Sequence, residues 1–351
     1  MRPQIDNREL TLIKKVLDSK VLTEGVITKE FEERVAKYVG TKYAIATTSA
    51  TTALHACFES LNIQGKKVLV SDFTFPATVQ AIVLAGGIPV LVDVDLESMN
   101  ITSDIIENSI TDKINVISPV ALFGNSLDNK IYTLRKKNIR IVEDAATNLG
   151  TKLGSHYTGK LADLTCFSFH PRKIITTGEG GMITTDDSVL AKKITSYKTF
   201  GKTDNKFVTM GTNYKISDVL SAIGLAQMSK LEPIIKKRLA MAKIYDELIS
   251  KIDILQPQKP TKNSRHTYQS YVCRVTKPNL RNKIIKKLAQ NNIESQIGTY
   301  ALHCLPAFAK TKRLGSLSNS ETLYKNTITL PLHAELDTPD QETICKIIKN
   351  L

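Results

Sequence analysis

Cysteine is scarce in this chain, and its spacing forms no recognisable set. Cys57, Cys166, Cys273, Cys304 and Cys345 stand far apart, odd in number and without a Cys-x-x-Cys pair. That pattern argues against a disulfide framework and against a zinc site, and it fits a reducing cytoplasm. The six histidines contain no His-x-x-x-His pair, so a metal centre built by the protein alone is not expected. Long apolar runs are missing as well. The richest, Ala81 to Val94, is interrupted by Gly86, Gly87 and Pro89 and falls short of the roughly 20 apolar residues that a spanning helix requires. The N-terminal MRPQIDNREL has no apolar stretch behind its charge, so no secretory leader is expected.

What is present is the composition of an ordinary folded protein, with 42% hydrophobic and 23% charged residues over 351 positions. This length exceeds a single core of ~100–200 residues, so a large domain (1–235) and a smaller C-terminal one (236–351) are expected. The net charge of +14 permits attraction to polyanions, either nucleic acid or a nucleotide-linked substrate. The basic residues, however, interleave with apolar ones, as in Ile234-Ile235-Lys236-Lys237-Arg238 and Lys283-Ile284-Ile285-Lys286-Lys287, the pattern of solvated helix faces. A basic nucleic-acid-binding regulator would need clustered base-reading side chains, and no such cluster is visible.

Short apolar runs bounded by turn residues recur at Lys67–Val70, Pro89–Val92, Val116–Val120 and Ile139–Val142, and they read as buried strands. Helical-period segments lie between them, at Thr78 to Leu84 and Ser103 to Ile110, which predicts βαβ units, a mostly parallel sheet and ligands at the strands' carboxyl ends. A long helix is expected from about Ser217 through Leu248, kinked or divided by Pro233. Beyond it, a loop rich in Pro and Lys leads to short strands and basic helices, where the second domain is placed. Gly154 to Lys160 has the spacing of a phosphate loop, but Leu161 stands where Ser or Thr must hold magnesium, so the glycines read as a hairpin turn.

Three segments carry candidate chemistry. Thr48-Ser49-Ala50-Thr51-Thr52-Ala53-Leu54 opens a helix whose free amides could bind an anion; a plain N-cap by Ser49 or Thr51 explains it equally. Asp144 follows a strand at its carboxyl end, in Val142-Glu143-Asp144-Ala145-Ala146. There it could meet a cation such as a protonated pyridine nitrogen, with small neighbours letting a planar ring approach. It could also be an exposed Asp that ends a strand. Cys166-Phe167-Ser168-Phe169-His170-Pro171-Arg172-Lys173 places a lysine between an apolar strand and the glycine turn Gly178–Gly181. Desolvation and Arg172 would lower its pKa and make it a nucleophile and proton carrier, whereas most lysines are simply at the surface.

A phosphate clasp, a pyridinium partner and an amine are the groups pyridoxal 5'-phosphate requires of a protein. On these residues the chain resembles the DegT/StrS-type nucleotide-sugar aminotransferases, from about Leu22 to His333. The resemblance implies an α/β architecture of PLP-dependent fold type I, a mostly parallel sheet sandwiched by helices with a smaller C-terminal α+β domain. It makes Lys173, followed by Thr177-Gly178-Glu179-Gly180-Gly181, the Schiff-base lysine and catalytic residue. It makes Asp144 the partner of the pyridine nitrogen, Ser168, Ala50 and Thr51 phosphate contacts, and Phe75 the ring-stacking aromatic, although Phe75 alone could be core packing. Thr147 stands against the cofactor where Gln or His is usual, and Ala121 replaces a frequent His. Gly211-Thr212-Asn213-Tyr214-Lys215 resembles the element whose Asn reaches the neighbouring subunit's cofactor, which implies a homodimer with shared sites. Thr23, Lys215, Tyr300 and His303, the last in a His-x-x-Pro-x-aromatic element, are the implied substrate residues; Leu330–His333 fits a similar element.

The implied activity is transfer of an amino group from an amino acid, glutamate before glutamine, to a nucleotide-linked keto-deoxy sugar. Polysaccharide or secondary-metabolite biosynthesis is the setting it implies. Sugar dehydratases of the same fold replace the lysine with histidine, and Lys173 argues against that alternative.

Overall fold

β-branched and apolar runs form one large sheet because both of its faces are covered. In the computed structural model, residues 3–111 and 113–351 are described; Met1 and Arg2, where the leader-free reading and the large-domain expectation begin, lie outside the described residues. Eight strands lie in the spatial order Tyr43–Thr47, Gly181–Thr185, Leu164–Ser168, Arg140–Asp144, Ile114–Ser118, Lys67–Ser71, Ile88–Val92 and Lys312–Arg313. Of these, Gly181–Thr185 alone runs against the rest. The strand expected at 116–120 stops at Ser118, because Pro119 has no N–H to give to a ladder.

The sheet is a sandwich filling. On one face Val68, Val70, Val116, Val142 and Cys166 pack with the helices Ala50–Ser60 and Ala77–Leu84. On the other, Ala46, Phe167 and Met182 meet the helices Val26–Val39 and Leu231–Ile249. Each fully buried side chain such as Phe31 or Phe58 contributes ~2–3 kcal/mol. Two candidate residues, Asp144 and Ser168, are the last residues of their strands.

The single long helix expected from Ser217 is two helices, Asp218–Met228 and Leu231–Ile249. The division falls at Ser229 and Lys230 rather than at Pro233. Pro233 is the third residue of the second helix, where a missing N–H removes no intrahelical bond. Ser217 caps the first helix, accepting from the Leu220 amide at 3.3 Å. The glycine-flanked segment at 154–160 does turn a hairpin, with Lys152–Leu153 antiparallel to His156–Tyr157.

Residues beyond 236 build an antiparallel sheet in the order Leu255–Pro257, Tyr271–Val275, Thr327–Leu330, Gln296–Ile297. Its core contains Tyr245, Tyr271, Ile284, Ile328 and Ile348. This stretch is not self-contained. Tyr300–Ala301 pairs with Phe73–Thr74, and Lys312–Arg313 joins the large sheet as its edge strand. Among the described residues, no helix is long and apolar enough to cross a membrane.

Candidate active site

Asp144 ends a buried strand and is itself 5% exposed, so the reading of it as a solvent-facing strand end fails. Its Oδ2 accepts from Thr78 Oγ1 at 2.6 Å and its Oδ1 from the Ala146 amide at 3.1 Å. Burial pushes its pKa up, against the pull of those two bonds and of the nearby Lys173 charge. A buried carboxylate with raised affinity for a proton is one that a cationic ring nitrogen would stabilise.

Lys173 is half-buried in the loop that follows the strand Leu164–Ser168. Among the described residues its Nζ has no hydrogen-bond or ion-pair partner. Burial lowers its pKa, the Asp144 charge opposes that, and Arg172 adds to it. The amine is therefore shifted toward its neutral, nucleophilic form. The loop is fixed by its own hydroxyls: Thr176 Oγ1 donates to Phe169 O at 2.8 Å and Thr177 Oγ1 to Glu179 O at 2.6 Å.

The clasp is assembled by register. Gly181 pairs with Thr47 on one side and Ser168 on the other, so two segments more than a hundred residues apart end together. The approach is close: a Cβ on Gly181 would lie 2.3 Å from Ser49 O and 2.8 Å from Ala50 N, so a side chain is excluded there. Ser49 caps its helix, its Oγ accepting from the Thr52 amide at 3.1 Å. The amides of Ala50 and Thr51, first in the helix Ala50–Ser60, have no carbonyl a turn earlier within the helix to receive them. N-cap and anion site thus coexist, because they use different amides. Ser168 is 8% exposed. An unpaired amine, a buried carboxylate, free helix-start amides and a serine beside them fit the donor set that pyridoxal phosphate needs.

Residues 3–349 match the profile of the DegT/DnrJ/EryC1/StrS aminotransferase family. The chain belongs to that family. A UDP-4-amino-4,6-dideoxy-N-acetyl-beta-L-altrosamine transaminase of Campylobacter jejuni is 31% identical, over 97% of this chain and 93% of its own length. A GDP-perosamine synthase of Caulobacter vibrioides is also 31% identical, over 97% and 95%. A Streptococcus pneumoniae protein assigned as a sugar aminotransferase, solved in its PLP form, superimposes with a TM-score of 0.91 at 29% identity, covering 99% of this chain and 97% of that one.

In this DegT-family aminotransferase most of the remaining candidates fall into two groups, each of exposed and half-buried side chains. Phe75 is 61% exposed, which excludes core packing. Its ring lies 6.4 Å from that of Tyr300, brought there by the pairing of Tyr300 with Thr74. Asn213, Lys215 and Thr23 form the second group: Thr23 bridges to Ser217, and Lys215 Nζ sits 4.6 Å from the centre of the Phe200 ring. His303 is turned inward, its Nδ1 2.6 Å from Asp72 Oδ2 and its amide donating to Asp72 Oδ1 at 2.9 Å. His333 lines a separate cleft that includes Arg172 but neither Lys173 nor Asp144.

Sequence reading assigned no role to Thr78, which holds Asp144, or to Asp72, fully buried and pinning His303. Nor did it see that its two departures meet: Thr147 Oγ1 donates to Ala121 O at 2.9 Å. Nothing local marks these pairs, since the partners lie 66, 231 and 26 positions apart.

Proposed function

We propose that this aminotransferase, with pyridoxal phosphate as cofactor, moves an amino group from glutamate to the keto carbon of a nucleotide-linked deoxy sugar. It does so in the cytoplasm, as a homodimer with shared sites, in a route to surface polysaccharide or a related glycoconjugate. The observation that carries the chemistry is the unpaired, desolvated Lys173 amine within the field of the buried Asp144 carboxylate. Two relatives whose names specify nucleotide-linked amino sugars support the substrate class.

When bound, the cofactor supplies an aldehyde that exchanges amine partners and a pyridinium ring that absorbs an electron pair. Lys173 would hold the cofactor through its Nζ, and with that amine free the same Nζ would take up and hand on the proton of the donor's α-carbon. Asp144 keeps the ring nitrogen protonated, with Thr78 fixing its orientation. Ser168 and the amides of Ala50 and Thr51 grip the phosphate, and Phe75 covers the ring. Thr147, tied to the Ala121 carbonyl, would stand against the cofactor. Asn213 of each chain completes the phosphate grip of the other, while Thr23, Lys215, Tyr300 and His303 surround the sugar nucleotide.

Two half-reactions sharing one site predict ping-pong kinetics. The test is a panel of nucleotide keto sugars offered with glutamate or glutamine, read as aminated sugar and keto acid. Borohydride reduction with peptide mapping reports the lysine that holds the cofactor. A pyridoxyl label on another lysine, or amination of unlinked sugars in preference to nucleotide sugars, would overturn the reading.

A further inference from the structure

The strap at 211–215 carries two adjacent side chains of opposite fate. Asn213 is exposed, and among the described residues its Oδ1 accepts one long bond, from the Lys215 amide at 3.4 Å. Tyr214 is turned inward against the core that contains the helix Ala50–Ser60, and its hydroxyl lies 2.8 Å from His55 Nδ1. His55 is on that same helix and 8% exposed. Tyr197 closes the cluster, 5.8 Å edge-on to His55 and 6.2 Å from Tyr214. Glu59 Oε1 stands 3.3 Å from His55 Nε2, one turn along. A carboxylate on that side favours the proton on Nε2, which leaves Nδ1 to accept from the tyrosine hydroxyl.

Backbone bonds hold the strap from its other edge, Thr212 N to Tyr197 O at 2.8 Å and Tyr214 N to Lys198 O at 3.0 Å. Neighbouring residues of an extended segment point to opposite sides, so drawing Tyr214 in sends Asn213 out. The hairpin before the strap buries little apolar surface, with Phe207 and Met210 74% and 92% exposed. A group presented on such a segment binds better when the segment is ordered beforehand.

We propose that the His55–Tyr214 hydrogen bond is a positioning device: it ties the phosphate-gripping helix of one chain to the Asn213 which that chain presents to its partner's site. This rests on the shared-site reading above. His55 and Tyr214 are positioning residues; Asn213 makes the contact.

The test measures the dissociation constant of pyridoxal phosphate from the visible absorption of lysine-bound cofactor. Tyr214→Phe keeps the ring and its packing but removes the hydroxyl, so affinity should weaken about tenfold with thermal stability unchanged. His55→Gln, which retains an acceptor, should recover part of the loss relative to His55→Phe. Unchanged affinity in Tyr214→Phe would overturn the proposal. Mixed dimers, purified through two different tags, locate the effect. When a Tyr214→Phe chain is paired with a Lys173→Ala chain, the one lysine-bearing site receives Asn213 from the chain with an intact strap, and its affinity should return to the wild-type value. A parallel mixture of Asn213→Ala with Lys173→Ala tests the shared site itself. Restoration in the Asn213 mixture but not in the Tyr214 mixture would mean that the bond serves its own chain's helix, and the proposal fails alone. Restoration in neither would sink the shared-site reading, and the proposal with it.

Discussion

The two halves of the candidate site are built differently. The half around Asp144, Thr78, Ser168 and Lys173 gathers at buried strand ends: Asp144 and Ser168 are fixed by strand register, Thr78 bonds Asp144, and Lys173 follows Ser168 in a loop held by its own hydroxyls. The half around Phe75, Asn213, Lys215 and Thr23 lies nearer the surface, with Phe75 61% exposed and the Asn213 side chain bonded to the Lys215 amide of its own strap. Amino-transfer chemistry needs groups fixed in a low-dielectric place, which a sheet core supplies. Substrate grip needs a surface that can open and close. Changes to the first half should therefore damage turnover, and changes to the second should damage binding.

The largest expected effect is that of Lys173→Ala, which should lower turnover by at least ~1,000-fold while the fold persists. Single-turnover kinetics and circular dichroism check both statements. A variant that retained turnover within about tenfold would break the assignment of the buried half.

Asp144→Asn should follow, with turnover down ~100–1,000-fold and cofactor still bound, because a neutral amide cannot hold a pyridinium charge. Absorbance titration separates the two effects.

Glu143 probes the interior just behind the site. It is fully buried, accepts from Tyr132 OH at 3.0 Å, and its pKa is pushed up from 4.5 to about 7, chiefly by burial. The folded chain then keeps a proton that the unfolded chain gives up. This contribution to stability is complete below pH ~4.5 and is lost as pH climbs to about 7, a swing of roughly 3 kcal/mol. Glu143→Gln should flatten that slope, which denaturant melts across the range would read; a slope unchanged in the variant would mean another group carries it.

Thr78→Val keeps volume but leaves Asp144 Oδ2 without its 2.6 Å bond. Turnover should fall ~10-fold with the KM for the sugar nucleotide barely moved. The smallest effect belongs to the half nearer the surface: Phe75→Ala should change turnover only a few-fold and raise KM, with no loss of stability, since the ring is exposed. A loss of stability there would place Phe75 with the buried group after all.

How much of this was legible beforehand depends on whether a signal is local. The strands around Val68–Val70 and Ile141–Val142 announce themselves because buried parallel strands are continuous apolar runs. The segments holding Lys173, Asp144 and Ala50 were legible as motifs, each within a few residues of sequence. The helix division was misjudged because Pro233 draws the eye, although a proline in a first turn breaks nothing.

The sequence by itself determined the alternation of strands and helices, the family and the candidates for the reacting groups, since each of these is written in short-range pattern or residue type. Tertiary structure alone decided what holds those groups. The Thr78–Asp144, Asp72–His303 and His55–Tyr214 contacts join residues 66, 231 and 159 positions apart, and neither member of any pair is unusual in its own segment. Burial of Asp144 and exposure of Phe75 are likewise properties of the packed sheet and its open edge, set by which chain segments come to lie beside them.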